Sequence, residues 1–183
     1  MFFNIFIIAL ARLLKLVYGY EAINILLRIS PSRYTISILR HFGANIGKGV
    51  RIQAPFMIHN ADQAVPIYSN LKIGNDCYIG RDCIFDLMGN INIGNKVTIS
   101  HRALLNTHTD AGNSPVSKTI LKPSKGEIVI DDGVYLGTNV TILENVNIGS
   151  QSIIGAKSLV NRDIQNHVIA FGVPCKVQGP LNT

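Results

Sequence analysis

From Ile46 onward, aliphatic residues recur at every sixth position. The clearest run is Ile130, Leu136, Ile142, Ile148, Ile154 and Val160, unbroken throughout. An earlier run holds Ile73, Ile79 and Phe85, then resumes after a two-residue slip with Leu87, Ile93, Ile99 and Leu105. Glycine follows many of these corners, as in Ile46-Gly47, Ile73-Gly74, Leu136-Gly137 and Ile154-Gly155. The fifth position of each unit is small or branched, with Cys77, Cys83, Val97 and Ala103 early, then Val134, Val140 and Val146. A period of six suits neither a helix nor simple strand alternation. It describes a short strand and a turn, repeated. Three units close a triangular coil of about 18 residues, so Ile130 is expected to stack on Ile148 and Leu136 on Ile154. Glycine after the corner suits a turn with positive φ or crowded backbone.

The first 41 residues follow another pattern. Phe2, Phe3, Ile5, Phe6, Leu10, Leu13, Leu14 and Val17 cover more than half of a helix surface. Ser30-Pro31-Ser32 ends that helical stretch, and a second helix is predicted over Ser32–His41. Open solenoid ends must be covered, so these helices are expected to cap one end and the tail from Asn166 the other. The predicted organisation is a helical segment over 1–43, a repeat domain over 44–178 and a tail over 179–183. Two stretches break the repeat: 59–70, and the polar loop 109–127 with Gly112, Pro115, Pro123 and Gly126. Long loops in compact domains carry function or lack order.

Charge changes the picture at the N-terminus. The net charge of +6 resides in residues 1–60, which hold Arg12, Lys15, Arg28, Arg33, Arg40, Lys48 and Arg51 against Glu21 alone. An apolar, basic N-terminal helix fits a peripheral contact with an anionic membrane face, or else a cap with a solvated basic side. No uninterrupted apolar stretch reaches the roughly 18 residues of a spanning helix. The positive charges follow the apolar run, the reverse of a secretory signal, so a cytoplasmic location is expected, with the inner membrane face as the place of any contact. The 183 residues, 47% hydrophobic and 15% charged, exclude a disordered chain. Three cysteines exclude a disulfide scaffold, and the absence of interleaved aromatic and basic residues argues against nucleic acid.

The repeat, with Gly155-Ala156-Lys157-Ser158-Leu159-Val160 and Gly172-Val173-Pro174-Cys175-Lys176-Val177, resembles the hexapeptide-repeat acyltransferases. The ending is similar to that of maltose, galactoside and polysaccharide O-acetyltransferases, as is Thr107-His108-Thr109-Asp110 before the long loop. The resemblance covers 44–178. It implies an all-β solenoid, a left-handed parallel β-helix with an N-terminal helical cap. It also implies a homotrimer with sites between subunits, acetyl-CoA as acyl donor and a sugar or glycan precursor as acceptor. The period itself says nothing of handedness.

The same resemblance assigns residues. His108 is the expected general base, because a neutral imidazole can take a hydroxyl proton at neutral pH. Asp86 matches a position near the acceptor, although Ile84 departs from the asparagine common there. Thr138 supplies the expected oxyanion donor through its backbone N–H. Thr138, Ala156, Asn161, Arg162 and Lys176 are expected along acetyl-CoA, with Arg162 and Lys176 facing its phosphates. Asp110 is read first as a turn former and second as the group that orients His108. His101 is expected outward, and Cys77 and Cys83 buried. A zinc hydratase of related fold would need a third clustered histidine, so no metal is expected. N-acetylation of an amino sugar, or a non-catalytic glycan-binding trimer, are the alternatives.

Overall fold

The computed structural model describes residues 2–181, with side chains from Ile5 onward. The last two residues of the expected tail 179–183 lie outside the described residues. Three parallel sheets stack the chain into a three-sided coil. The first face holds Asn45–Ile46, Leu71–Ile73, Ile91–Ile93, Ile128–Ile130 and Val146–Ile148. The second runs from Arg51–Ile52 through Tyr78–Ile79, Thr98–Ile99, Tyr135–Leu136 and Ile153–Ile154 to Val168–Phe171. The third holds Phe56–His59, Cys83–Asp86, Leu104–Leu105, Thr141–Ile142 and Leu159–Val160.

The register follows the hexad. Ile130 pairs with Ile148 and Leu136 with Ile154, as the period predicts. Every corner aliphatic of the late run is buried inside the coil, each contributing about 1.5–3 kcal/mol of transfer free energy. The slip after Phe85 is absorbed at the end of the third face, where Asp86 pairs with His59 and Leu87 N–H donates to the His59 carbonyl.

The glycines after the corners are there for crowding. A Cβ on Gly74 would lie 2.5 Å from the Gly94 carbonyl oxygen, and one on Gly137 2.6 Å from Ala156 N. Positive φ belongs instead to the residue three places after the corner: Asp76, Asp82, Lys96, Arg102, Asn139, Asn145, Gln151 and Lys157. Most are Asn, Asp or long polar residues, turned outward where a left-handed backbone costs least.

The helices close one end. α1 is Phe2–Tyr18, α2 Ile23–Ile29 and α3 Ser32–His41. The helical stretch before Pro31 is broken at Gly19 (φ 82°), a break the apolar pattern does not signal because both sides of it are equally apolar. Each open sheet edge receives one polar side chain. Arg40 donates to the carbonyls of Ile46 and Gly47 on the first face. Ser32 Oγ accepts from Ile52 N–H on the second. Asn24 on the third bonds Ile58 twice, as donor to its carbonyl and acceptor from its N–H. These contacts satisfy edge groups that would otherwise template association. At the far end Lys176–Pro180 runs antiparallel to Val168–Phe171.

Candidate active site

The candidate site lies on the third face. Phe85 registers with Leu105, so Asp86 and the segment after Leu105 meet at one edge of the coil. There the chain leaves the repeat. His108–Thr109 pairs antiparallel with Ser124–Lys125, which closes the 109–127 loop into a hairpin with a short helix, Val116–Thr119, inside it. Asn106 Nδ2 donates to the His108 carbonyl at 2.6 Å, and Gly126 N–H to the Thr107 carbonyl at 2.9 Å. The backbone of His108 is therefore held on both sides.

The imidazole is held from below. His108 Nδ1 lies 2.7 Å from Asp86 Oδ2. The Asp86 side chain is 4% exposed and that of His108 24%. Asp86 Oδ2 also accepts from Thr107 N–H at 2.9 Å and lies 2.7 Å from Thr107 Oγ1, while Asn60 Nδ2 donates to Oδ1. Gly89 N–H donates to Thr107 Oγ1 at 2.8 Å. Burial by itself raises the Asp86 pKa, but donation from Asn60, His108 and Thr107 outweighs it and leaves the carboxyl below its ordinary value. An ionised carboxylate only accepts, so Nδ1 of the neutral ring carries the proton and Nε2 is left as the basic nitrogen.

A cleft of about 190 Å³ opens beside the ring, lined by Met88, His108, Thr109, Asp110, Pro123, Ser124 and Lys125. Asp110 does not reach His108 as its orienting group. Its Oδ1 accepts from Gly112 N–H at 2.7 Å and starts the loop as a turn. Asp86, expected toward the acceptor, turns its carboxylate inward beneath the ring. Asn60 and Thr107 complete the support, and Asn60 had no signal in the sequence beyond its place in an insertion.

The expected acetyl-CoA residues are divided between two edges of the coil. Thr138 and Ala156 occupy successive coils at the corner between the second and third faces. At that corner Arg81 N–H donates to His101 Nδ1 of the next coil at 2.9 Å, with His101 exposed on the surface. One coil pair further on, the position matching His101 is Ala156, packed against Gly137, and its side chain offers no acceptor. Thr138 N–H has no hydrogen-bond partner among the described residues. Asn161 and Arg162 are exposed just past Val160, on the His108 edge, and Lys176 is exposed beside Phe171 on the second face. Cys77 and Cys83 are buried, their pKa values raised by burial, that of Cys83 to about 11.

No protein-family model matches the chain. Galactoside O-acetyltransferase of Lactococcus lactis subsp. lactis is 30% identical over 165 residues, covering 84% of this chain and 71% of the relative. A hexapeptide-repeat-containing acetyltransferase of Vibrio cholerae, solved with acetyl-coenzyme A, superposes with TM-score 0.76 at 21% identity, over 92% of each chain. A maltose O-acetyltransferase from Clostridium difficile 630 gives TM-score 0.76 at 23% identity, over 93% of this chain and 89% of its own. The coil is thus a left-handed parallel β-helix, the fold of acyltransferases of this kind. The chain belongs to the hexapeptide-repeat acetyltransferases, in the subgroup of the galactoside O-acetyltransferases, and is an acyltransferase.

Proposed function

We propose that the protein transfers the acetyl group of acetyl-CoA directly to a sugar hydroxyl of a glycan or polysaccharide precursor, with His108 as general base. The observation that carries this is the 2.7 Å contact of His108 Nδ1 with the buried Asp86 carboxylate, in a ring that lines a cleft. An alcohol is a weak nucleophile until its proton is taken as the new bond forms. His108 Nε2 accepts that proton while the hydroxyl oxygen attacks the thioester carbonyl. The carbonyl oxygen becomes an oxyanion, for which the free Thr138 N–H is the donor fixed in advance. The C–S bond then breaks, the proton held by His108 passes to the departing sulfur, and CoA leaves. Asp86 stabilises the imidazolium between these steps.

The two halves of this machinery lie on different edges of one prism: His108 past Leu105, Thr138 and Ala156 past the corners of the second face. The reading therefore requires a homotrimer, in which a neighbouring copy brings its Thr138 edge to the His108 edge of the first. Arg162 and Lys176 then serve the CoA phosphates, and the small Ala156 lets the pantetheine arm approach the backbone.

The outward side of α1 favours a peripheral membrane location. Ile5, Phe6, Leu13, Leu16 and Val17 are exposed there, flanked by Arg12 and Lys15. No helix among the described residues is long and apolar enough to cross a membrane. Contact with an anionic cytoplasmic face would place the enzyme beside lipid-linked glycan precursors.

The test is a coupled thiol-release assay with acetyl-CoA and a panel of galactosides, maltosides and amino sugars, with products read by mass spectrometry. Ester products with the wild type and loss of roughly 10²–10⁴-fold in kcat for His108→Ala are expected. Most of the activity surviving in His108→Ala would reject the base assignment, and amide products would reject the hydroxyl acceptor.

A further inference from the structure

Glu144 lies one coil beyond His108. Ile142 registers with Leu105, so Glu144, two residues on, stands over Thr107, the residue before the imidazole. Its Oε1 accepts two hydroxyl donors, Thr109 Oγ1 at 2.9 Å and Ser124 Oγ at 3.0 Å. Thr109 and Ser124 face each other across the hairpin, and the adjacent pair is His108 and Lys125. A single carboxylate oxygen therefore ties both strands of the hairpin to the solenoid at the base of the long loop. Its other oxygen, Oε2, is buried with no hydrogen-bond partner among the described residues.

That arrangement is a costly way to fasten a loop. A buried carboxylate oxygen without a donor loses its hydration and regains nothing. Local expense of this kind is retained where function needs the geometry. Here the geometry is the seat of the imidazole, whose ring is held by Asp86 from the coil below and whose strand is held by Glu144 from the coil above.

We propose that Glu144 is a positioning residue for His108: it clamps Thr109 and Ser124 together, so that the ring stays over Asp86 with Nε2 facing the cleft. This rests on His108 being the general base. Glu144 acts through one acceptor oxygen and not through its charge. The two oxygens thus have separate fates, because a glutamine keeps the acceptor and replaces only the unpartnered Oε2.

The experiment compares Glu144→Ala, Glu144→Gln, Ser124→Ala and His108→Ala in the full chain. Steady-state kinetics in acetyl-CoA and thermal melting are measured for each. Glu144→Ala should lower kcat about 10²-fold, the cost of a misplaced base, with KM for acetyl-CoA unchanged. Glu144→Gln should restore kcat to within a few-fold of wild type, with a melting temperature equal to or above it. Ser124→Ala removes one exposed hydroxyl and folds regardless. It should lower kcat by about 5- to 10-fold, and by no further factor when added to Glu144→Ala, since groups acting as one unit are not additive. Wild-type kcat in both Glu144→Ala and Ser124→Ala would overturn the clamp, and so would a Glu144→Gln as impaired as Glu144→Ala. A His108→Ala enzyme that keeps its activity would overturn the base assignment instead, a result separable from either.

Discussion

His108 Nδ1 and Asp86 Oδ2 stand 2.7 Å apart across two successive coils, and that contact decides which ring nitrogen is basic. A carboxylate at Nδ1 fixes the tautomer and stabilises the imidazolium that forms when Nε2 takes a proton. Asp86→Asn keeps an acceptor of the same shape and removes the charge. A hydrogen bond to a charged group is worth about 1.5–3 kcal/mol. The substitution should therefore lower kcat/KM roughly 10- to 150-fold, with little change in the KM for acetyl-CoA. Unchanged turnover in the thiol-release assay would show that the pair is structural.

The same carboxylate sets an acid limit to stability. Burial raises the Asp86 pKa, but the Asn60, His108 and Thr107 hydrogen bonds more than offset it, so the native value lies below the ordinary 3.8. A depressed native pKa means that the folded state holds the proton less readily than the unfolded chain does. Its stabilisation is complete above the unfolded value and is lost as pH falls through the native one. The melting temperatures of wild type and Asp86→Asn should differ by a constant amount near neutrality. That gap should close as pH falls below 3.8. A gap that widens on acidification would have the opposite sign and refute the linkage.

Much of this site was legible as register. Phe85 and Leu105 are both corner residues of the hexad, so residues just after them must lie at the same edge of neighbouring coils. That places Asp86 within reach of the Thr107-His108 motif. The sequence places Asp86 near the acceptor and reads Asp110 first as a turn former, and the hairpin does turn Asp110 into its own loop. Stacking brings Asp86 under the ring, a contact between residues 22 apart that only the register reveals. Glu144 was hidden for another reason. At a turn position of a solenoid a glutamate reads as solvated, and only closure of the 109–127 hairpin over it makes the site. The break at Gly19 was equally invisible, since hydropathy does not change across it and a single glycine in a helical pattern is ambiguous.

Gly137 sets the spacing at the expected oxyanion donor. A Cβ there would lie 2.6 Å from Ala156 N and 2.9 Å from Ala156 Cα, both backbone atoms that cannot step aside alone. Gly137→Ala must separate two coils or tilt the corner, and Thr138 N–H moves with it. Overpacking of this kind costs about 1–3 kcal/mol. The variant should melt several degrees lower and lose more in kcat than in affinity for CoA measured by calorimetry. A Gly137→Ala enzyme with native melting and native kcat would mean that the corner has more room than its backbone contacts allow.

The outward strip of α1 makes the last prediction, because its two sides are so unequal. Ala11 is fully buried and Ile7, Leu10 and Leu14 pack against the core, while Ile5, Phe6, Leu13, Leu16 and Val17 face out, Leu16 at 84% exposure. A soluble surface helix normally places polar residues on that side. Here the polar groups are Arg12 and Lys15 at its border, the order found in helices that lie in a lipid interface with cations toward the headgroups. Full burial of a leucine contributes about 1.5–3 kcal/mol and each cation near an anionic surface about 1 kcal/mol. The full-length protein should cosediment with vesicles containing phosphatidylserine and bind neutral vesicles more weakly. Added salt should weaken that binding without abolishing it. Leu13→Glu combined with Leu16→Glu should leave the protein in the supernatant with its acetyl transfer to a soluble sugar intact. Equal sedimentation of the double variant would take the strip out of membrane contact, and a wild type that ignores anionic vesicles altogether would dispose of the location itself.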